Sequence, residues 1–161
     1  MSKFYYGLRS IPEAKVLARR VVAALGGNES VFNQMIETAC AETKCGTYPD
    51  AHPDRMGVGL CQHDQINLDD IQLEGEQRHF DIIKKEFGYD ILAIELKDLA
   101  EDPLLSLICC RLSYKRIPAA IPSDLFGRAQ YWKEYYNTNA GSGTVEHYRE
   151  SVKECLGEEW Q

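Results

Sequence analysis

The stretch Asn28-Glu29-Ser30-Val31-Phe32-Asn33-Gln34-Met35-Ile36-Glu37-Thr38-Ala39-Cys40-Ala41-Glu42-Thr43 decides the fold class. Its apolar residues Val31, Phe32, Met35, Ile36, Ala39 and Cys40 recur in adjacent pairs four apart. On a helix of 3.6 residues per turn that spacing makes one continuous apolar stripe. Asn28 or Ser30 can accept the first unpaired backbone N–H groups, so the helix starts there. Gly46, Pro49 and Pro53 follow closely, so it ends near Thr43, with Glu42 in its last turn. Glu37 lies about 140° around the helix from Glu42 at 3.6 residues per turn. It is therefore expected to face solvent.

Working outward, the same reasoning yields helices along most of the chain. Ile11–Leu25 reads as a helix, with Pro12 in its first turn and Gly26-Gly27 as its stop. Short helices are expected over 67–73, over 75–87 with Gly88 as the stop, and over 91–99. Asp102-Pro103 pairs an N-cap with a first-turn proline and opens a helix to Tyr114. Ser123 or Asp124 caps a helix reaching Tyr136, and a last helix runs over 144–156. The expected class is mainly α, in one domain spanning 1–161. An irregular lobe or a small β-hairpin is expected at 45–62, where turn residues crowd and periodicity fails.

Composition narrows the function. The chain has 161 residues, 44% of them hydrophobic, which suffices for one core. Its formal charge is -7, with no run of Lys or Arg longer than two, which argues against nucleic acid as a partner and against an anionic membrane surface. No apolar stretch approaches the ~18 residues that span a bilayer, so no stable membrane insertion is expected. Residues 1–10 lack the apolar centre of a signal peptide. The six cysteines are expected to be reduced and mostly buried, Cys109 and Cys110 within an apolar run.

Three separated segments carry chemistry. They are Ala41-Glu42-Thr43, then Gly57-Val58-Gly59-Leu60-Cys61-Gln62, then Tyr135-Tyr136-Asn137-Thr138-Asn139-Ala140-Gly141. In order and type they resemble the lysozyme-like lytic transglycosylases, including phage-encoded forms. That family carries Glu-Ser at a helix end, Gly-Leu-Met-Gln next, and Ala-Tyr-Asn-Ala-Gly far downstream. Here Thr43 replaces Ser, Cys61 replaces Met, and two extra residues follow Asn137. The resemblance covers roughly residues 31–150.

The resemblance implies a lysozyme-like helical domain that cleaves the β-1,4 bond between N-acetylmuramic acid and N-acetylglucosamine in peptidoglycan. It implies Glu42 as the acid and then the base, no cofactor and no metal. Thr43 would hold the carboxyl group or the substrate, and Tyr136 would orient Glu42. Gln62 and Asn137 would bond the sugar, and Gly59 and Gly141 would let backbone approach the glycan. Chemistry independently favours a helix-end carboxyl beside an apolar cleft. Protonating a glycosidic oxygen near neutral pH needs an acid whose pKa is raised, and both surroundings push that way.

A transglycosylase would leave a 1,6-anhydro end. A hydrolytic muramidase would add a second carboxylate as base, for which Asp50, Asp54 and Asp64 are candidates. A noncatalytic phage structural or glycan-binding protein is the alternative outside enzymes. A zinc module on Cys45, Cys61 and His63 is a further one, although the spacing matches no familiar zinc pattern. The partner is then the glycan strand. The chain would be made in the bacterial cytoplasm and would act at the cell wall after release, with a separate membrane-permeabilising protein, or be carried in a phage particle.

Overall fold

A computed structural model describes residues 2–49, 57–137 and 143–161. Seven α-helices follow one another: α1 Ile11–Leu25, α2 Glu29–Thr43, α3 Gln65–Glu74, α4 Gln77–Phe87, α5 Pro103–Lys115, α6 Leu125–Trp132 and α7 Val145–Leu156. Their starts follow from local hydrogen bonding. The side chains of Ser10, Asn28, Asp64, Asp102 and Thr144 each accept a backbone N–H from the first turn that follows.

One expected element comes out differently. The helix expected over 91–99 shrinks to the 3₁₀ turn Leu96–Leu99. The Gln72 side chain donates to the carbonyls of Ile91 and Ile94, so those groups satisfy a neighbouring helix instead of building their own. Of the irregular lobe or small hairpin expected at 45–62, residues 50–56 lie outside the described residues, and the described part is irregular, with no β-strand. What stands there is a tight turn closed by Val58 and His63, whose backbones exchange hydrogen bonds of 2.8 and 3.0 Å. Six residues closing on themselves leave no length for a ladder.

Helix α2 packs on α1, α5, α6 and α7, and α5 packs on α1, α2 and α3. Both central helices are buried nearly all round. Every stripe residue of α2 named above is buried, Met35, Ile36, Ala39 and Cys40 completely. Each fully buried side chain of the Ile or Met type contributes about 1.5–3 kcal/mol of transfer free energy. No helix among the described residues is long and apolar enough to cross a membrane.

Burial all round also corrects the expectation for Glu37. It does not face solvent but is 0% exposed. The Arg128 guanidinium from α6 grips it with two hydrogen bonds of 2.8 Å. Tyr148 of α7 and the indole of Trp160 donate to the same carboxylate at 2.8 and 2.6 Å. Four donor hydrogens thus satisfy both oxygens, which is how a charge survives in a core. His79 is also buried, at 8% exposed.

Helix α2 stops abruptly. Lys44, Cys45 and Gly46 all take left-handed backbone conformations, with φ of 51°, 51° and 82°. For Lys44 and Cys45 that costs roughly 1–2 kcal/mol each. Anchoring offsets it: the Lys44 ammonium donates to Ser151 and pairs with Glu154 on α7, while Cys45 is completely buried. The chain therefore reverses directly after Glu42-Thr43.

Candidate active site

Glu42 sits half-buried in the last turn of α2. Its Oε2 accepts a 2.9 Å hydrogen bond from Nε1 of Trp132, the last residue of α6. The preceding carbonyl, Ala41 O, is one of the end groups a helix leaves unpaired. It accepts from His147 Nε2 of α7 at 2.9 Å. The indole of Trp132 is 1% exposed and packs at a tilt on His147 and Tyr148. Burial pushes up the hydroxyls of Tyr114 and Tyr136 and the thiol of Cys61, and the negative charge of Glu42 adds to each. Glu42 is therefore within electrostatic reach of α5, of the 57–63 turn and of the segment after α6.

The 57–63 turn is clamped from several sides. Thr43 Oγ1 donates to Leu60 O at 2.8 Å and accepts the Gly46 N–H at 3.0 Å. Ser106 of α5 accepts the Cys61 N–H at 3.0 Å. The Tyr136 hydroxyl donates to Cys61 O at 2.7 Å. Gly59 has φ of 82°, and a Cβ there would lie 2.4 Å from Leu99 O. Gly59 is thus required by backbone packing inside the protein, and the expectation that it faces a glycan is corrected. Gly57 leaves room for Gln62, whose Oε1 would be 2.7 Å from an added Cβ.

The expected site residues fall out as follows. Thr43 is 2% exposed, so it fastens the helix end to the turn; the contact with substrate or carboxyl group expected of it gives way to that role. Gln62 is half-buried with φ of 53°, and its Nε2 donates to Gly59 O at 2.9 Å. Tyr136 is stacked on Tyr114, ring centroids 5.2 Å apart. Its hydroxyl proton goes to Cys61 O, whereas Trp132 donates to Glu42. Asn137 accepts from Lys133 Nζ at 2.8 Å. Asp64 caps α3 through Oδ1, 2.7 Å from Asn67 N. Asp50, Asp54, Gly141 and the rest of 138–142 lie outside the described residues.

Trp132 escaped the sequence reading as a site residue, although a signal was there. It stands four residues before Tyr136, one turn of helix away, so a Tyr136 near the site brings Trp132 with it. The helix expected to run to Tyr136 instead changes at Lys133 into a π-helical turn, Lys133–Asn137. Such widened turns recur at functional sites, because the extra residue rotates the side chains that follow.

No protein-family profile, characterised protein or solved structure matches the chain. Its functional reading therefore rests on the residues themselves.

The cysteines do not form the expected alternative. The Cys40 thiol is within electrostatic reach of Cys45 and Cys155, and that of Cys61 within reach of Cys110. Cys45 and Cys61 thus belong to different clusters, and the described residues contain no group of His, Cys, Asp or Glu side chains arranged for a metal. His63 is 1% exposed, with Nε2 3.0 Å from the Ser106 carbonyl and Nδ1 2.6 Å from the Asn67 amide. The Ser106 carbonyl and the Asn67 amide oxygen both accept, so a neutral imidazole, with its single N–H, donates to only one of them.

Burial holds the His63 imidazole below its ordinary pKa, with its Asn67 and Ser106 bonds opposing. Below about pH 6.5 the unfolded chain takes up a proton here that the folded chain resists. Stability from this source is complete above that pH and is lost as pH falls toward the depressed folded value. Thermal unfolding should therefore show a midpoint that falls as pH drops below about 6.5. His63→Gln should flatten this fall. An undiminished slope in the variant would assign the effect to other groups, such as His79, which burial also depresses.

Proposed function

We propose that the chain is a peptidoglycan-cleaving enzyme of the lysozyme-like, lytic transglycosylase type, acting between N-acetylmuramic acid and N-acetylglucosamine. One observation carries this reading. Three segments far apart in sequence, matching three motifs of that family in order, are tied into one cluster by Thr43 to Leu60, Tyr136 to Cys61 and Trp132 to Glu42. The cluster centres on a half-buried carboxyl group held by a rigid helix.

In this reading the protonated Glu42 gives its proton to the glycosidic oxygen as the bond to the muramic acid C1 breaks. Positive charge builds on C1 and its ring oxygen. The Glu42 carboxylate then takes the proton of the sugar's own 6-hydroxyl while that oxygen bonds to C1. The acid is regenerated, no water is consumed, and a 1,6-anhydro end results. Gln62 and Asn137 bond the sugar, and Tyr136 and Thr43 keep the turn that carries Gln62 against Glu42. With Asp64 engaged as a helix cap, the second carboxylate that a muramidase would use is less readily found there.

Mass analysis of glycan digested by the purified protein tests this directly. The anhydro product is one water lighter than a hydrolysed end. Anhydro products support the proposal. Hydrolysed ends would make the protein a muramidase, and binding without cleavage would make it a noncatalytic phage structural or glycan-binding protein.

A further inference from the structure

We propose that Trp132 is a positioning residue that decides which oxygen of Glu42 carries the transferable proton; this rests on the reading of Glu42 as the acid. An indole N–H can only donate. Its bond to Oε2, 2.9 Å long, therefore makes Oε2 the acceptor oxygen of the carboxyl group in either protonation state. The carbonyl oxygen of a carboxylic acid is the stronger acceptor, so this bond favours the protonated form that carries its hydrogen on Oε1. A carboxylic acid free to turn would offer its proton from either oxygen, and half of those arrangements would point it away from the bond to be broken.

The indole is well held for this task. It is 1% exposed, lies 5.2 Å from the Tyr148 ring centroid, and is overlaid by backbone at Gly143. A Cβ at Gly143 would stand 2.4 Å from Trp132 Cη2 and 3.0 Å from Asn137 Nδ2. That position must therefore stay glycine for the chain to pass over the ring. Trp132 is fixed from α7 on one side and from residue 143 on the other, and its one polar atom is aimed at Glu42.

A donor to a carboxylate favours the ionised form. Among the described residues, the titratable groups around Glu42 include His147 on α7, Tyr114 on α5, Cys61 in the turn and Tyr136 after α6. Lys44 and Lys133 are the cations of the adjoining segments. Trp132→Phe keeps an aromatic ring and removes the donor. The upper pH limit of cell-wall lysis should rise by about one pH unit, and activity at the optimum should fall. His147→Gln, which removes the imidazole bonded to the neighbouring Ala41 carbonyl, should leave that limit where it is. A Trp132→Phe profile that superposes on the parent, or an equal shift in His147→Gln, overturns the inference while leaving the enzymatic reading intact.

A second measurement needs no activity. The indole Nε1–H resonance of Trp132 should move with pH in the parent and stay still in Glu42→Gln. Trp160, bonded to Glu37, supplies the internal reference. A Trp132 resonance that does not respond to pH in the parent, or that moves equally in Glu42→Gln, would refute the assignment even for a protein inactive on peptidoglycan.

Discussion

Glu42→Gln is expected to lower the rate of cell-wall cleavage by roughly 10²–10⁴-fold, the range for loss of a general acid, while the protein stays folded. The amide cannot donate a proton to a departing sugar oxygen, nor take one from the 6-hydroxyl afterwards. Both halves of the proposed reaction are lost together. The fold has no reason to respond. Gln has the same shape, and its carbonyl oxygen can still accept from Trp132 Nε1, as Glu42 Oε2 does at 2.9 Å. Unfolding stability should therefore stay within about 1 kcal/mol of the parent. The discriminating comparison is lysis of permeabilised Gram-negative cells alongside urea unfolding of the same preparation. Lysis at the parent rate by a folded Glu42→Gln would remove Glu42 as the acid.

The largest effect on stability is expected at the other acid of the same helix. Arg128→Met should cost about 3–5 kcal/mol, the usual consequence of stripping one partner from a buried ion pair. Glu37 and Arg128 are both completely buried, so neither can turn to water when the other is lost. Tyr148 and Trp160 would still donate to Glu37, but a carboxylate with no countercharge would remain in the core. Against a typical total of about 5–15 kcal/mol, that loss is a large fraction. Replacing Glu37 and Arg128 together by Met should be less damaging than Arg128→Met alone, because the uncompensated charge disappears with its partner. Urea midpoints of the two variants give the answer. A parent-like midpoint for Arg128→Met would show that the pair holds nothing together.

The difference between Glu37 and Glu42 also separates local from tertiary information. By helical geometry they lie on different faces of α2, and that much follows from the sequence. Which face met water did not. Glu37 is buried because Arg128, about ninety positions later, arrives opposite it, together with Tyr148 and Trp160. No local pattern around Glu37 encodes those partners. The same holds for Glu42. Its place in a last turn was legible, whereas the Trp132 indole beside it depends on α6 packing against α2 and α7.

Helix starts were legible for the opposite reason. Asn28, Asp102 and Thr144 bond N–H groups three residues away, so the interaction is written within one turn of chain. An element whose backbone groups are satisfied from elsewhere was misread. Ile91 and Ile94 give their carbonyls to Gln72, and the expected 91–99 helix becomes a single turn. The Val58–His63 turn is held by Thr43, Ser106 and Tyr136, so of the two forms expected at 45–62 the described part takes the irregular one.

By itself the sequence determined the all-helical class, most helix boundaries, the apolar stripe of α2 and the order of three motifs, because each depends on residues within a few positions of one another. Only the tertiary structure decided that those motifs meet, that Thr43 and Tyr136 secure the turn bearing Gln62, and that an indole aims at Glu42 while an arginine neutralises Glu37. Those are contacts across 17 to 91 positions of chain, and burial, which sets their strength, exists only once the helices have packed.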